Sequence, residues 1–238
     1  MTIHPDTLPF FQELAQNNNR PWFMDNKPRW EAIRKQFERF TQELLDKMSV
    51  LDPTLEGLTA KGCMYRIYRD TRFSNDKTPY KTHIACFLSS WGKKNSGVPG
   101  YYLQVGSEEA YGLTGTCNLG GGIFMPAPAS LAAIRQEIFY CPDEFLAILA
   151  EPAYRRYFGT EFFTVKKLTR VPKGYPADWE HADLLKYKDY CTTHTLAEGA
   201  IADEALSDRV LEIWRASLPL NRFRSRSEER RVGKECRS

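Results

Sequence analysis

The sequence predicts an α+β fold, read as a single domain in which N- and C-terminal helices pack on a mainly antiparallel sheet. Three observations predict it. A 3.6-residue apolar stripe runs through residues 27–49, alternating and aromatic runs replace it after Pro53, and the helical period returns from Pro128. No Pro/Gly/Ser-rich linker divides residues 1–225, so they read as one body.

A first helix fits Asp6 to Gln16, burying Leu8, Phe10, Phe11 and Leu14, and stops at Asn17-Asn18-Asn19, residues that favour turns and caps. The longer helix from about Lys27 to Ser49 places Trp30, Ile33, Phe37, Phe40, Leu44 and Met48 on one face. Asp25 or Asn26 can cap it, and Pro28 suits its first turn. Strand candidates follow at Cys63 to Asp70, His83 to Leu88, Tyr101 to Val105 and, more weakly, Tyr111 to Leu119, with His83 to Leu88 read as central. Helical spacing resumes through Leu131, Ile134, Ile138, Phe145, Leu149 and Tyr154. Phe162 to Leu168 reads as a further strand, His181 to Lys186 as a short helix, Asp189 to Leu196 as an edge strand and Asp203 to Leu218 as the last helix.

Composition and charge limit the function. The chain has 238 residues with 42% hydrophobic and 26% charged content, which excludes a disordered chain, a collagen-like fibre and a small disulfide scaffold. Of 33 cations and 30 anions, five and three fall in the last thirteen residues, RSEERRVGKECRS, leaving 28 against 27 in the body. A near-neutral body weighs against nucleic acid, whose nonspecific binders spread a basic stripe over a face. Residues 226–238 resemble the translation of a sequencing-adapter read-through. They have no apolar periodicity, so they read as a disordered, artefactual tail. Six cysteines, at 63, 86, 117, 141, 191 and 236, show no zinc-type spacing and no sign of a disulfide framework. With a polar N-terminus and no apolar stretch of membrane-spanning length, the protein reads as cytoplasmic, with reduced thiols and no membrane partner.

The segment that carries chemistry is residues 66–81, RIYRDTRFSNDKTPYK. It holds Arg66, Arg69, Arg72, Lys77 and Lys81 against Asp70 and Asp76. On a strand, Arg66, Tyr68 and Asp70 share one face, and Arg69 shares the other with Tyr65 and Ile67. A guanidinium turned toward a buried face must be paired. Asp70 and Asp76 can do this, and so can an external anion, because the planar fork of arginine matches carboxylate and phosphate. Three readings stay open: a pocket for a phosphate, nucleotide or other anionic group; an Arg/Asp clamp that pins the connection between two strands; and scattered surface charge. His83, at the start of the next strand, is a candidate general acid or base, although a histidine there more often serves a hydrogen bond.

The run Arg66, Arg69, Asp70, Arg72, Phe73, Asp76, Lys77 and Tyr80 resembles the R-x-x-R-D-x-R-F-x-x-D-K-x-x-Y signature of a bacterial family, domain of unknown function 2461. Further family-like stretches are Asn18, Asn19, Trp22, Phe23 and Lys27; Gly121, Gly122, Met125 and Pro126; Leu185 and Lys186; and Pro219 and Leu220. Together they extend the resemblance over about residues 8–223. The departure from the family comes where the adapter-like tail replaces the end of the last helix. The resemblance carries over no established activity and leaves any cofactor unknown.

The remaining motifs are weaker. Glycines at 112, 115, 120, 121 and 122 lack the lysine of a phosphate loop and the spacing of a dinucleotide fingerprint, so they read as a tight turn or close backbone approach. Asp178, His181 and Asp183 form at most a loose metal set, and no metal site is assigned. No G-x-S-x-G elbow occurs. The expected ligand set is therefore Arg66, Arg69, Asp70, Arg72, Lys77, Tyr80 and Lys81, serving an anionic small molecule, with enzymatic turnover of a phosphorylated one left open. A non-catalytic clamp is the first alternative. A nucleic-acid module with Tyr68, Tyr80, Tyr101 or Tyr102 stacking on bases is the second.

Overall fold

The computed structural model describes the chain except residues 73, 93–96, 108–112, 114 and 236–238, with backbone only at 198 and 224–235. The fold is α+β. Eight α-helices are described: α1 (Thr7–Gln16), α2 (Arg20–Asp25), α3 (Lys27–Leu51), α4 (Ala60–Cys63), α5 (Pro128–Tyr140), α6 (Pro142–Ala150), α7 (Pro152–Phe158) and α8 (Leu206–Glu235). Four strands, β1 (His83–Leu88), β2 (Gly100–Gly106), β3 (Cys117–Ile123) and β4 (Tyr190–Leu196), form an antiparallel sheet in the order β1-β2-β3-β4. Contacts divide the chain into two compact units. The first is Met1–Lys93, Tyr102–Leu119 and Thr195–Glu212; the second is Lys94–Tyr101, Gly120–His194 and Ile213–Ser238.

In the first unit, the whole stripe read from the sequence is buried. Trp30, Ile33, Phe37, Phe40, Leu44 and Met48 line one face of α3, joined by Thr41 and Leu45. Each fully buried side chain of this size contributes roughly 1.5–3 kcal/mol, far more than helix propensity, so packing holds the helix. Asn26 stands at its N-terminus but does not cap it through its side chain; its Oδ1 takes Arg29 instead, at 2.9 Å. The sequence reading missed α2, whose six residues are too few for a periodic pattern. The signals were local: Asn19 caps it by accepting from the Trp22 amide at 3.0 Å, and Pro21 occupies its first turn.

Two strand expectations are corrected. Cys63 to Asp70 is not a continuous strand: Met64 and Tyr68 make isolated antiparallel bridges to Cys86 and Tyr80. Consequently β1 is not central. It stands at one end of the four-strand order, with Met64 bridging Cys86 inside it and Tyr68 bridging Tyr80 just before it. The expected strand at Tyr111 to Leu119 lies partly outside the described residues, and what is described there begins at Cys117.

In the second unit, three helices each open on a proline at the first helical position (Pro128, Pro142 and Pro152), where the missing amide hydrogen costs nothing. Their inward residues Ile134, Ile138, Phe145 and Tyr154 are buried, as are Phe162, Tyr190 and Phe223. The expected strand at Phe162 to Leu168 reduces to one bridge, Phe163 to Cys191, and the helix at 182–186 is a 3-10 turn. Gly121 and Gly122 lie inside β3 as close approaches. A Cβ on Gly121 would sit 2.3 Å from Ser217 Oγ, and one on Gly122, at φ +108°, would sit 2.3 Å from the Tyr190 carbonyl oxygen. Helix α8 continues to Glu235 with Pro219 inside it, so backbone at 226–235 is helical where the composition suggests no ordered element.

Candidate functional site

Residues 64–86 build an antiparallel hairpin arm in the first unit. The Tyr65 amide donates to the Ala85 carbonyl (2.9 Å), Arg69 to Pro79 (3.0 Å) and Lys81 to Ile67 (2.8 Å). That pattern makes Tyr68 and Tyr80 a non-hydrogen-bonded pair, whose side chains lie side by side on one face. Beyond Thr82, whose carbonyl accepts from the Ser107 amide at 2.9 Å, no strand pairs with the outward backbone groups of Tyr80 among the described residues. The Asn18 amide replaces the missing strand: Nδ2 donates to the Tyr80 carbonyl at 2.8 Å, and Oδ1 accepts from the Tyr80 amide at 3.1 Å. Phe23, from α2, stacks on the Tyr80 ring at 4.0 Å and 17°. The N-terminal family-like stretch and the signature segment thus meet, with Asn18 and Phe23 fastening the residue that ends the signature.

The charged residues then separate by role. Arg69, half-buried with Ile67 as the strand parity predicts, pairs through Nη1 with Asp76 and donates to Thr78 Oγ1 at 2.6 Å. Asp76 also accepts from the Thr78 amide at 2.9 Å. This backbone bond, the Arg69 pair and the Thr78 hydroxyl hold its carboxyl at about 2. Lys77 Nζ donates to the Thr71 carbonyl at 2.9 Å, tying the tip of the hairpin to itself. Arg72 forms a bidentate pair with Asp70, Nε to Oδ1 at 2.9 Å and Nη2 to Oδ2 at 2.7 Å, and its side chain is 75% exposed. That pair, the Arg72 amide and the nearby charge of Arg66 hold Asp70 at about 2. Arg66 is exposed and closes no ion pair among the described residues.

The other expected residues lie elsewhere on the arm. Lys81 is half-buried with its ammonium 5.2 Å from the Tyr65 ring centroid, and burial pushes the Tyr65 hydroxyl up to about 12. Tyr80 is buried; burial and Tyr68 raise its hydroxyl pKa, partly offset by Arg20. His83 is buried at the start of β1, where a Cβ on Gly106 would come within 2.4 Å of the His83 Cα. Of the four tyrosines considered as stacking platforms, Tyr80 and Tyr101 are buried and Tyr102 spends its hydroxyl on Gln104 at 2.8 Å, whereas Tyr68 is 54% exposed.

Elsewhere, Asp183 is occupied by Lys167 and Lys186, and no cluster of metal-ligating residues is present among those described. Cys63, Cys86, Cys117, Cys141 and Cys191 form no disulfide among the described residues, and burial pushes the Cys86 and Cys117 thiols up to about 12, which disfavours their thiolates. Among the described residues no helix is long and apolar enough to cross a membrane.

Comparison with known proteins bears on the arm directly. No curated protein and no solved structure matches the chain. A family model does, over residues 6–223, taking in Asn18, Phe23 and the whole of residues 66–81; the chain belongs to the family described as conserved hypothetical protein (DUF2461).

Proposed function

We propose that the hairpin arm binds an anionic small molecule through a phosphate or carboxylate group, with Arg66 and Arg72 as its contacts. The observation that carries the reading is the division of labour among the cations. Arg69 and Lys77 are spent inside the loop, while Arg66 and Arg72 stand at the exposed surface. Asp70 fixes one edge of the Arg72 fork, which keeps the group oriented and leaves an incoming oxyanion to compete with a single solvated carboxylate. Asp70 then belongs to the site as the group that an anion displaces or shares.

A thermal-shift screen with phosphate, pyrophosphate, sugar phosphates and dicarboxylates tests this. A ligand at a hundred times its Kd adds about 2.7 kcal/mol, or roughly 5–10 °C in Tm for a chain of this size. The shift is expected to vanish in Arg66→Ala and to shrink in Arg72→Ala. One observation favours a second reading, the clamp: Arg69, Arg72 and Lys77 each close on a partner within the segment. No shift with any anion, together with a large loss of Tm in Arg69→Ala, would establish the clamp instead.

A further inference from the structure

Tyr68 shares the outward strand face with Arg66 and Asp70, and it is 54% exposed. Its ring is packed against two neighbouring rings. The Tyr80 centroid lies 5.5 Å away and that of Phe23 6.5 Å away, while Phe23 and Tyr80 stack on each other and Asn18 holds the Tyr80 backbone. A planar group meeting this ring encounters a surface already fixed, so little side-chain freedom is lost on contact. Cations flank the ring. Arg66 precedes it by two residues, about 7 Å along an extended strand, Arg72 is tethered to Asp70 two residues beyond, and Arg20 stands close enough to Tyr80 to stabilise its ionised hydroxyl. An exposed, packed aromatic ring with Arg66 one strand repeat away complements a ligand that is planar at one end and anionic at the other.

We propose that this ligand is a nucleotide whose base stacks on Tyr68 and whose phosphate is held by Arg66, with Arg72 at the margin. The assignment rests on the anion-binding reading above and adds the base. Inorganic phosphate and dicarboxylates would use the arginines alone and ignore the ring. A sugar phosphate would place no planar π face on it. The near-neutral body, 28 cations against 27 anions outside the tail, argues for one nucleotide rather than a strand of nucleic acid.

Calorimetric titration of the full chain with adenosine monophosphate, ribose 5-phosphate, adenosine and a short single-stranded oligonucleotide separates these terms. Adenosine monophosphate is expected to bind more tightly than ribose 5-phosphate. Tyr68→Ala and Tyr68→Leu should weaken it about ten-fold or more, with ribose 5-phosphate unchanged and Tyr68→Phe within about two-fold of the parent. Arg66→Ala should weaken both phosphates. The leucine variant keeps apolar bulk at the position, so a folding defect in Tyr68→Ala leaves the test intact. Equal binding of the two phosphates, indifferent to Tyr68, would overturn the nucleotide and preserve the anion site. Absence of binding by every phosphate would overturn both. Far tighter binding of the oligonucleotide, with a steep salt dependence, would overturn the single nucleotide in favour of a strand.

Discussion

Arg29 and Arg72 are both gripped by a carboxylate in a bidentate fork, yet they do opposite things. Arg29 reaches from α3 to Asp6 at 2.8 Å through both Nε and Nη2, to Glu13 at 2.8 and 3.1 Å, and to Asn26 at 2.9 Å, with its guanidinium 5.6 Å from the Phe10 ring centroid. Its partners lie 23 and 16 residues away, so the pairs fasten the N-terminal helix to α3, and the side chain is 32% exposed. Arg72 pairs with a residue two positions away and is 75% exposed. A contact that is local in sequence constrains little that the chain has not already fixed, and solvent screens it. The same ionic motif therefore serves as a fastening where it is non-local and shielded, and fastens little where it is local and open.

The comparison implies that the hairpin is docked by aromatic packing and not by its arginines. Phe23→Ala tests this with the largest expected effect. It removes a buried ring stacked on Tyr80 and costs about 3 kcal/mol, roughly 6–12 °C in Tm. A loss no larger than that of Arg72→Ala would mean that ion pairs hold the arm after all.

Next comes Arg29→Ala. It strips two carboxylates of their partner in a half-shielded site and is expected to cost about 1–2 kcal/mol, seen as a lower urea midpoint at an unchanged slope.

Acid pH sharpens the contrast. Hydrogen bonds from Arg29 lower the pKa values of Asp6 and Glu13. Glu43 is pushed up by burial, but bonds from Lys47, Ser207 and the N-terminal amine outweigh that and bring it to about 2. Groups depressed in the folded state contribute stability that is fully present above their unfolded values near 4, and it is lost as pH falls toward 2. Denaturation followed between pH 5 and pH 2 should therefore show a falling midpoint, and the fall should be smaller in Arg29→Ala than in the parent. Equal slopes would remove Arg29 from the account.

How far the sequence carries is set by whether a feature is periodic or paired at a distance. The α3 stripe was legible because each of its six positions repeats the same requirement to face the core. Arg69 was legible for a similar reason: strand parity placed it beside Ile67, where a charge needs a partner, and Asp76 supplies one. Asn18 and Phe23 could be quoted as family-like, but their roles could not be read. Nothing in either stretch states that the Asn18 amide replaces a strand beside Tyr80, 62 residues later. The alternation of Cys63 to Asp70 suggested a full strand because parity reports which side faces inward and not how many ladder bonds form. Tyr68 was ranked with three other tyrosines, since exposure separates them only after the chain has folded.

The smallest expected effect is the most informative about the arm. Arg72→Ala removes one partner of a solvent-exposed pair confined to the hairpin tip, so Tm should stay within about 1 °C of the parent. If Arg72 is a presented charge, the same variant should change what the protein binds without changing how it melts, and the pair of readouts must be taken on one sample. A protein that melts several degrees early would make Arg72 a second Arg29, and the distinction between local and non-local pairs would fail in the arm itself. A variant that melts normally yet loses an anion-induced shift would place the function of the segment in its exposed guanidinium groups, since stability and binding would then have been separated at a single residue.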